Sequence, residues 1–392
     1  MRKDEVYNIS INTYRVLQDY INRFLLENRT IVIYGAGKRG KTIAEILLKN
    51  GVEEFIFCDR KKESIGALIH GKQCVSPEQI YKNSQNYFVL ITPSNSQVIE
   101  DELLKNGFQL SRDYVNYSKD LISWFMEYFN RKQETGVLLL GDCYWISCDS
   151  NSEKKNCLYD ELEFLIKSET EINRLAMNAL TISEYYWIFR AYVSKGNRPD
   201  LVMVSIDVRN FNIINYMLPG NQHVDLLKEI YENIPVDGLE DYIKEKIEKS
   251  EKTIGFNTVV DNSEKQWTKE RNQIKLNYCY RWKSENEEIE YLIKLIHEIH
   301  KINAIPVVIF LPVNFETAKE KFKIDFMGQY EKNKQKIVEQ LQKYTVNIMD
   351  LSYRVGKYGF SGKQYFNEIL NEKNKEIIAK EVYKKYKRLR KK

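Results

Sequence analysis

The stretch Gly136-Val-Leu-Leu-Leu-Gly-Asp-Cys143 decides the fold of this chain. Four consecutive apolar residues end abruptly at Gly141-Asp142-Cys143, and an apolar run that short and that sharply bounded predicts a strand buried on both faces, as strands of parallel sheets are. Open parallel sheets bind ligands at the carboxyl ends of their strands. The stretch therefore carries an acid, Asp142, and a nucleophile, Cys143, to the edge where chemistry is done.

Moving outward toward the C-terminus, three further runs have the same character: Arg198–Asp207, Asn303–Pro312 and Thr345–Asp350. Helical periodicity fills 286–302, 329–343 and 372–389, and 160–190 reads as largely helical. Strands alternating with helices predict a parallel sheet covered on both faces. The segment Asn210–Asn286 is a long insertion, charged in its middle and carrying Trp267, Tyr278, Tyr280 and Trp282. An insertion at a sheet's carboxyl edge is placed to shape substrate entry; a helical appendage with ordinary surface charge fits equally well.

Moving outward toward the N-terminus, residues 5–27 have helical spacing, and Thr30-Ile-Val-Ile-Tyr34 predicts a strand. It runs into Gly35-Ala-Gly37-Lys-Arg-Gly40, with a helix predicted from Lys41 to Lys49. A second strand, 54–58, ends at Asp59, nineteen residues after Gly40. Strand, glycines, helix and late acid match the dinucleotide-binding fingerprint, in which the glycines let backbone approach a pyrophosphate and the acid accepts from a ribose hydroxyl. Gly35, Gly37, Gly40 and Asp59 are thus candidate cofactor-binding residues, although a tight turn in a docking domain needs the same glycines. The residues also satisfy the P-loop pattern, Gly35-x4-Gly40-Lys41-Thr42, but the next strand, Tyr87–Thr92, lacks the acid that magnesium requires. An aromatic-rich amphipathic helix, 114–132, ends in polar residues and marks the expected boundary between a domain of 1–132 and one of 133–392.

Two resemblances follow from these blocks. Residues 136–392 resemble the SGNH (GDSL) hydrolase superfamily, whose nucleophile follows Gly-Asp after the first strand; Cys143 stands where that family carries serine. Residues 28–115, through Asp59-Arg-Lys-Lys, His70-Gly71 and Ile91-Thr-Pro-Ser-Asn95, resemble the small Rossmann-like domain beside bacterial surface-sugar transferases and acyltransferases. Together they imply an N-terminal Rossmann-like sheet followed by a flavodoxin-like α/β/α SGNH-type domain. They further imply a nucleotide or nucleotide-sugar in the first, acyl-CoA as donor in the second, a glycan or glycan precursor as acceptor, and other glycan-assembly enzymes as partners.

The family's C-terminal Asp-x-x-His is missing. The corresponding segment, Tyr365–Asn374, has Asn367 and Ile369 or Leu370 at those places, and the third block is altered to Ser205-Ile-Asp207-Val-Arg209-Asn210. A thiol, with an ordinary pKa of about 8.5, needs less help than a hydroxyl. Of four histidines, His223 follows the second strand in a loop at the same sheet edge, and the chain resembles capsule acetyltransferases of SGNH-like fold that pair such a histidine with a cysteine. Cys143 and His223 are therefore a candidate dyad, with a buried, inert Cys143 the other reading, and Asp207 and Arg209 either bind phosphate or carboxylate or pair with each other. A non-catalytic glycan- or partner-binding protein is the rival, and a nicotinamide-dependent oxidoreductase rests on the glycine loop alone.

Composition bounds the rest. The chain has 392 residues, 43% apolar and 29% charged, and a net charge of +5 from 60 basic and 55 acidic residues, with much of the excess in Lys384–Lys392. That distribution argues against a nucleic-acid surface and allows at most peripheral membrane contact through the tail. Six cysteines without repeated CxxC spacing favour neither disulfides nor a zinc site, and no metal is expected. The N-terminus lacks a secretory signal pattern, and a cytoplasmic protein is the expectation.

Overall fold

Val137–Gly141 forms a strand with every residue buried, flanked on both sides by other strands. It is β8 of thirteen strands among the residues that this computed structural model describes, namely 8–61, 66, 68–94, 96–149, 156–212, 223–253, 275, 277–282, 285–322, 325–361 and 370–391. The segment 365–369, with Asn367 and Ile369, and Trp267 lie outside the described residues. The chain divides into two compact units, Asn12–Trp124 and Met1–Ile11 with Phe125–Lys392. The division falls inside the helix Tyr117–Phe129 rather than after it.

In the smaller unit the helix Ile11–Phe24 leads into β2 (Thr30–Tyr34), β3 (Phe55–Cys58), β4 (Leu68–Ile69), β5 (Lys72–Val75), β6 (Tyr87–Ile91) and β7 (Tyr114–Asn116). β-branched and aromatic residues dominate β2, β3 and β6, and such side chains pack well on a pleated surface. The sheet order is β4-β5-β3-β2-β6-β7, parallel throughout except for β4. The order reverses between β2 and β6, which is the topological switch point where such sheets take ligands. Val32, Tyr34, Cys58, Val89, Ile91 and Phe108 belong to one core cluster beneath that edge.

In the larger unit β10 (Ile172–Ala176), β8, β11 (Leu201–Ile206), β12 (Ile305–Phe310) and β13 (Asn347–Asp350) are all parallel, in that order. Taken along the chain the strands run 2-1-3-4-5, a doubly wound α/β arrangement whose order reverses beside β8. The helix Glu372–Arg390 packs against Leu158–Ile166, and Glu287–Lys301 against Ile182–Ser194. A short antiparallel ribbon joins β1 (Asn8–Ser10) to β9 (Ser147–Asp149), with Ile9 opposite Cys148.

Two expectations are corrected. The segment 160–190 is not continuously helical, because β10 occupies its middle; Asn173 and Arg174 interrupt the apolar pattern that would have marked a buried strand. Asn173 donates to the Tyr128 carbonyl and the Tyr192 hydroxyl, both at 2.9 Å, and Arg174 lies over the rings of Tyr128 and Tyr159 at 4.3 and 5.0 Å. The helix that follows β2 begins at Lys38 rather than Lys41. The glycine loop is therefore a tight turn of Gly35-Ala36-Gly37. Lys41 and Thr42 sit inside the helix, and the Thr42 hydroxyl donates to the Lys38 carbonyl at 3.1 Å. A phosphate-cradling P-loop needs that lysine and threonine at the mouth of the loop, so these residues do not form one.

Candidate functional site

At the carboxyl edge of the larger sheet, Asp142 leaves β8 and caps the one-turn helix Cys143–Ile146, its Oδ1 accepting from the Tyr144 amide at 3.0 Å. Such a cap satisfies one of the orphan amides that every helix start exposes. Its Oδ2 accepts from Arg209 Nη2 at 2.8 Å, and Arg209 Nε stands 3.8 Å from Asp207 Oδ2. Arg209 is carried there by the single 3-10 turn Val208–Phe211, which follows β11 and is tied off by Asn210 Oδ1 accepting from the Asp207 amide. The side chains of Arg209, Asp142 and Asp207 are 15%, 5% and 4% exposed. The guanidinium thus bridges the ends of two neighbouring strands, closely to Asp142 and at 3.8 Å to Asp207.

Cys143, on the same edge, is half-buried. Gly141 before it is required by packing, since a Cβ there would stand 2.6 Å from the Trp145 ring and 3.1 Å from Ser205 Oγ. The Tyr185 hydroxyl is buried beside Asp142 and Ser205, and Ser205 donates to the Leu140 carbonyl at 3.2 Å. Burial, with the Asp142 charge adding, pushes that phenol well above its ordinary pKa. From the insertion, Tyr280 donates to the Val208 carbonyl at 2.8 Å, and Trp282 stacks on Tyr280 with its ring 6.2 Å from Phe211. This brings the aromatic end of the insertion to the Asp207–Arg209 turn.

His223 does not join Cys143. Its Nδ1 lies 3.0 Å from both oxygens of Glu184 and its Nε2 lies 2.9 Å from the Asn178 carbonyl. Both facing groups are acceptors, so both ring nitrogens are engaged away from Cys143. Glu184 also receives Lys246 Nζ at 2.8 Å and the Thr181 amide at 2.8 Å. Burial alone would raise the Glu184 carboxyl, yet His223 and Lys246 hold it far below the usual carboxylate range. Next to it Glu288 accepts from the Ser183 amide and hydroxyl at 2.8 and 2.9 Å, and burial, assisted by the Glu184 charge, pushes its carboxyl up to about 7. Sequence reasoning missed this cluster. The Thr181-x-x-Glu184 capping box signals only a helix start, and nothing in it points to His223, Lys246 or Glu288.

In the smaller unit two of the three glycines are required by the structure around them. Gly35 has φ +107°, and a Cβ would stand 2.7 Å from Thr92 Oγ1. At Gly40 a Cβ would fall 1.9 Å from the Gly35 carbonyl oxygen, so this glycine lets the helix Lys38–Lys49 close onto the loop. Gly37 has an ordinary φ of −74° and no atom within 4 Å of a Cβ, so neither backbone nor packing accounts for it. Asp59 turns back on the loop: Oδ2 accepts from the Ala36 amide at 2.9 Å and Oδ1 from the Lys61 amide at 2.8 Å. Beside it, at the switch point, lies a cleft of about 400 Å³ lined by Tyr34, Gly35, Asp59, Arg60, Pro93 and Ile99.

The remaining candidates are structural. His70 pairs with Glu45 at 3.4 Å, His300 Nε2 bonds the Thr345 carbonyl, and His297 packs edge-on against Tyr344. The basic tail is partly paired, through Lys387–Glu169 at 2.8 Å and Arg390–Asp200 at 3.3 Å. Among the described residues no helix is long and apolar enough to cross a membrane. No protein-family model and no curated protein matches this chain.

Proposed function

We propose that the larger unit handles acyl groups at Cys143, in the manner of an SGNH-type acyltransferase or esterase of bacterial surface-glycan assembly working in the cytoplasm. The observation that carries this reading is the half-buried Cys143 thiol at the carboxyl end of β8, in a sheet ordered 2-1-3-4-5. The thiolate bonds to the carbonyl carbon of a thioester such as acetyl-CoA, and the donor's sulfur leaves with the electron pair and takes up a proton. A sugar hydroxyl, or water, then bonds to the same carbon; the cysteine sulfur leaves and recovers a proton, and ester or free acid departs. Thioester exchange asks little of a base, because a thiol is already partly ionised near neutral pH. The second step needs a proton acceptor for the hydroxyl, and Asp207, with Asp142 one of two carboxylates at the same edge, would serve as it.

The commitment of His223 to Glu184 and Asn178 favours a second reading, in which this sheet edge binds a glycan or a partner enzyme without turnover. The two separate on one experiment. The intact protein is incubated with acetyl-CoA and digested for mass spectrometry. An acetyl group on Cys143, absent from Cys143→Ala and lost on adding an acceptor sugar, is the result expected of the first. An unmodified Cys143 together with saturable glycan binding supports the second.

A further inference from the structure

The helix Glu372–Arg390 buries one face and charges the other. Ile378, Ala379, Val382, Tyr386 and Leu389 lie on the buried face, whereas beyond Glu376 the exposed residues are Lys380, Lys384, Arg388 and Arg390, followed by Lys391. Every one of them is basic. The macrodipole favours cations only in the last turn of a helix, which here holds Lys387, Arg388 and Arg390. Lys380, Lys384 and Lys385 lie before that turn, so the dipole does not account for them.

The acids close by do not neutralise this face. Glu376 and Glu381 stand 3.5 and 3.2 Å from Lys380 and Lys384, Glu169 takes Lys387 at 2.8 Å and Asp200 takes Arg390 at 3.3 Å. Glu381 is shared with Arg354, and among the described residues no acid pairs with Lys385, Arg388 or Lys391. Exposed pairs of this kind are weak, so the paired cations also remain available to a stronger anion.

Independently, the neighbouring helix Leu158–Ile166 has one exposed residue, and it is a phenylalanine, Phe164, at 69%. The two helices run side by side in the same direction: Lys375 donates to the Asn156 carbonyl at 2.8 Å near their starts, and Lys387 meets Glu169 near their ends. Phe164 therefore belongs to the same helical layer as the basic face, and Lys167 Nζ lies 5.5 Å from the centre of its ring. Cations beside a projecting aromatic ring match a bilayer with anionic headgroups, where the charges meet the headgroups and the ring enters the acyl boundary beneath them. The phosphate backbone of a nucleic-acid duplex would satisfy the cations but has no apolar layer to receive the ring.

We propose that the solvent face of the helices Leu158–Ile166 and Glu372–Arg390 docks peripherally on an anionic lipid bilayer, with Lys380, Lys384, Arg388 and Lys391 against the headgroups and Phe164 inserted at the interface. This stands apart from the acyl-transfer reading, because docking is expected whether or not Cys143 carries an acyl group.

Flotation of the full chain with phosphatidylcholine vesicles, with and without phosphatidylglycerol, tests it, alongside binding to a DNA duplex. Binding is expected to the vesicles that contain phosphatidylglycerol and not to the neutral ones, and it should be lost at high salt, which screens exposed charges. Lys384→Gln combined with Arg388→Gln removes two cations, each contributing about fivefold in partitioning, so binding should fall tenfold or more. The melting temperature should hold, since exposed ion pairs add little to stability. Phe164→Ser is expected to weaken vesicle binding severalfold and to leave any duplex binding unchanged. The proposal is overturned if anionic vesicles float no more protein than neutral ones, or if the double variant floats like wild type. It is equally overturned if Phe164→Ser floats like wild type and the duplex binds as tightly as the vesicles, which would mark a general polyanion surface.

Discussion

Arg209 Nη2 sits 2.8 Å from Asp142 Oδ2 while its Nε lies 3.8 Å from Asp207, so one guanidinium joins the residue before the candidate nucleophile to the end of the neighbouring strand. The two carboxylates are 5% and 4% exposed. Breaking a buried ion pair from one side typically costs about 3–5 kcal/mol, because the remaining charge stays out of water. Arg209→Ala should therefore lower the stability of the larger unit by about that amount in urea unfolding. Asp142→Asn combined with Arg209→Ala should recover part of the loss. If Arg209→Ala is neutral, the clamp does not exist in solution.

Two buried carboxyls give pH dependences of opposite sign. Glu288 is pushed up to about 7, whereas in an unfolded chain a glutamate titrates near 4.3. The folded state then holds its proton more tightly, so the stability this residue contributes is fully present below about pH 4 and drains away as pH rises to about 7, by on the order of 1–3 kcal/mol. Glu184 is held low, so its contribution is present above its unfolded pKa and lost as pH falls below that value. Glu288→Gln should flatten the stability curve between pH 5 and 8 and leave the acid limb in place. Urea midpoints across that range decide it, and an unchanged slope in the variant would remove Glu288 as the cause.

Gly40 makes the tightest contact of the glycine loop. A Cβ placed 1.9 Å from the Gly35 carbonyl oxygen has nowhere to go, because the obstacle is backbone. Overpacking of this sort costs roughly 1–3 kcal/mol or more. Gly40→Ala should lower the melting transition of the smaller unit. An equal melting temperature for Gly40→Ala and wild type, read by calorimetry, would contradict the close helix–loop packing described above.

What the sequence disclosed and what it hid divide along a physical line. Strands β2, β8, β11 and β12 were legible because each is an apolar run between breakers, and a strand buried on both faces has to look like that. β10 was not, because Asn173 and Arg174 are buried on it through hydrogen bonds and ring contacts made with residues far away in the chain. The glycine loop was legible as a motif, but whether it wraps a phosphate or turns tightly depended on where the helix starts, which the three residues Lys38-Arg39-Gly40 left open. That Asp142, Cys143, Asp207 and Arg209 lie at the carboxyl edge of the sheet was legible from their places after apolar runs. Their pairing, and the capture of His223 by Glu184, are tertiary facts with no local signature.

The thiols give the last prediction, and it turns on His223. Cys143 and Cys279 are half-buried, and the other four cysteines are buried. Burial, with the Asp325 charge adding, pushes the Cys279 thiol up to about 11, and burial pushes Cys58 and Cys157 higher still. Alkylation depends on the thiolate and on access. On the folded protein at pH 7.5, iodoacetamide should therefore modify Cys143 first, Cys279 slowly and the others only after unfolding. Because both ring nitrogens of His223 are spent on Glu184 and Asn178, His223→Gln should leave the alkylation rate of Cys143 within about twofold of wild type, even though it destabilises the unit by removing a donor from a fully buried carboxylate. Circular dichroism at the labelling temperature establishes that the variant is folded, and peptide mass spectrometry resolves the sites. A folded His223→Gln protein whose Cys143 reacts ten times more slowly would mean that the histidine leaves Glu184 to activate the thiol, and the dyad would have to be restored.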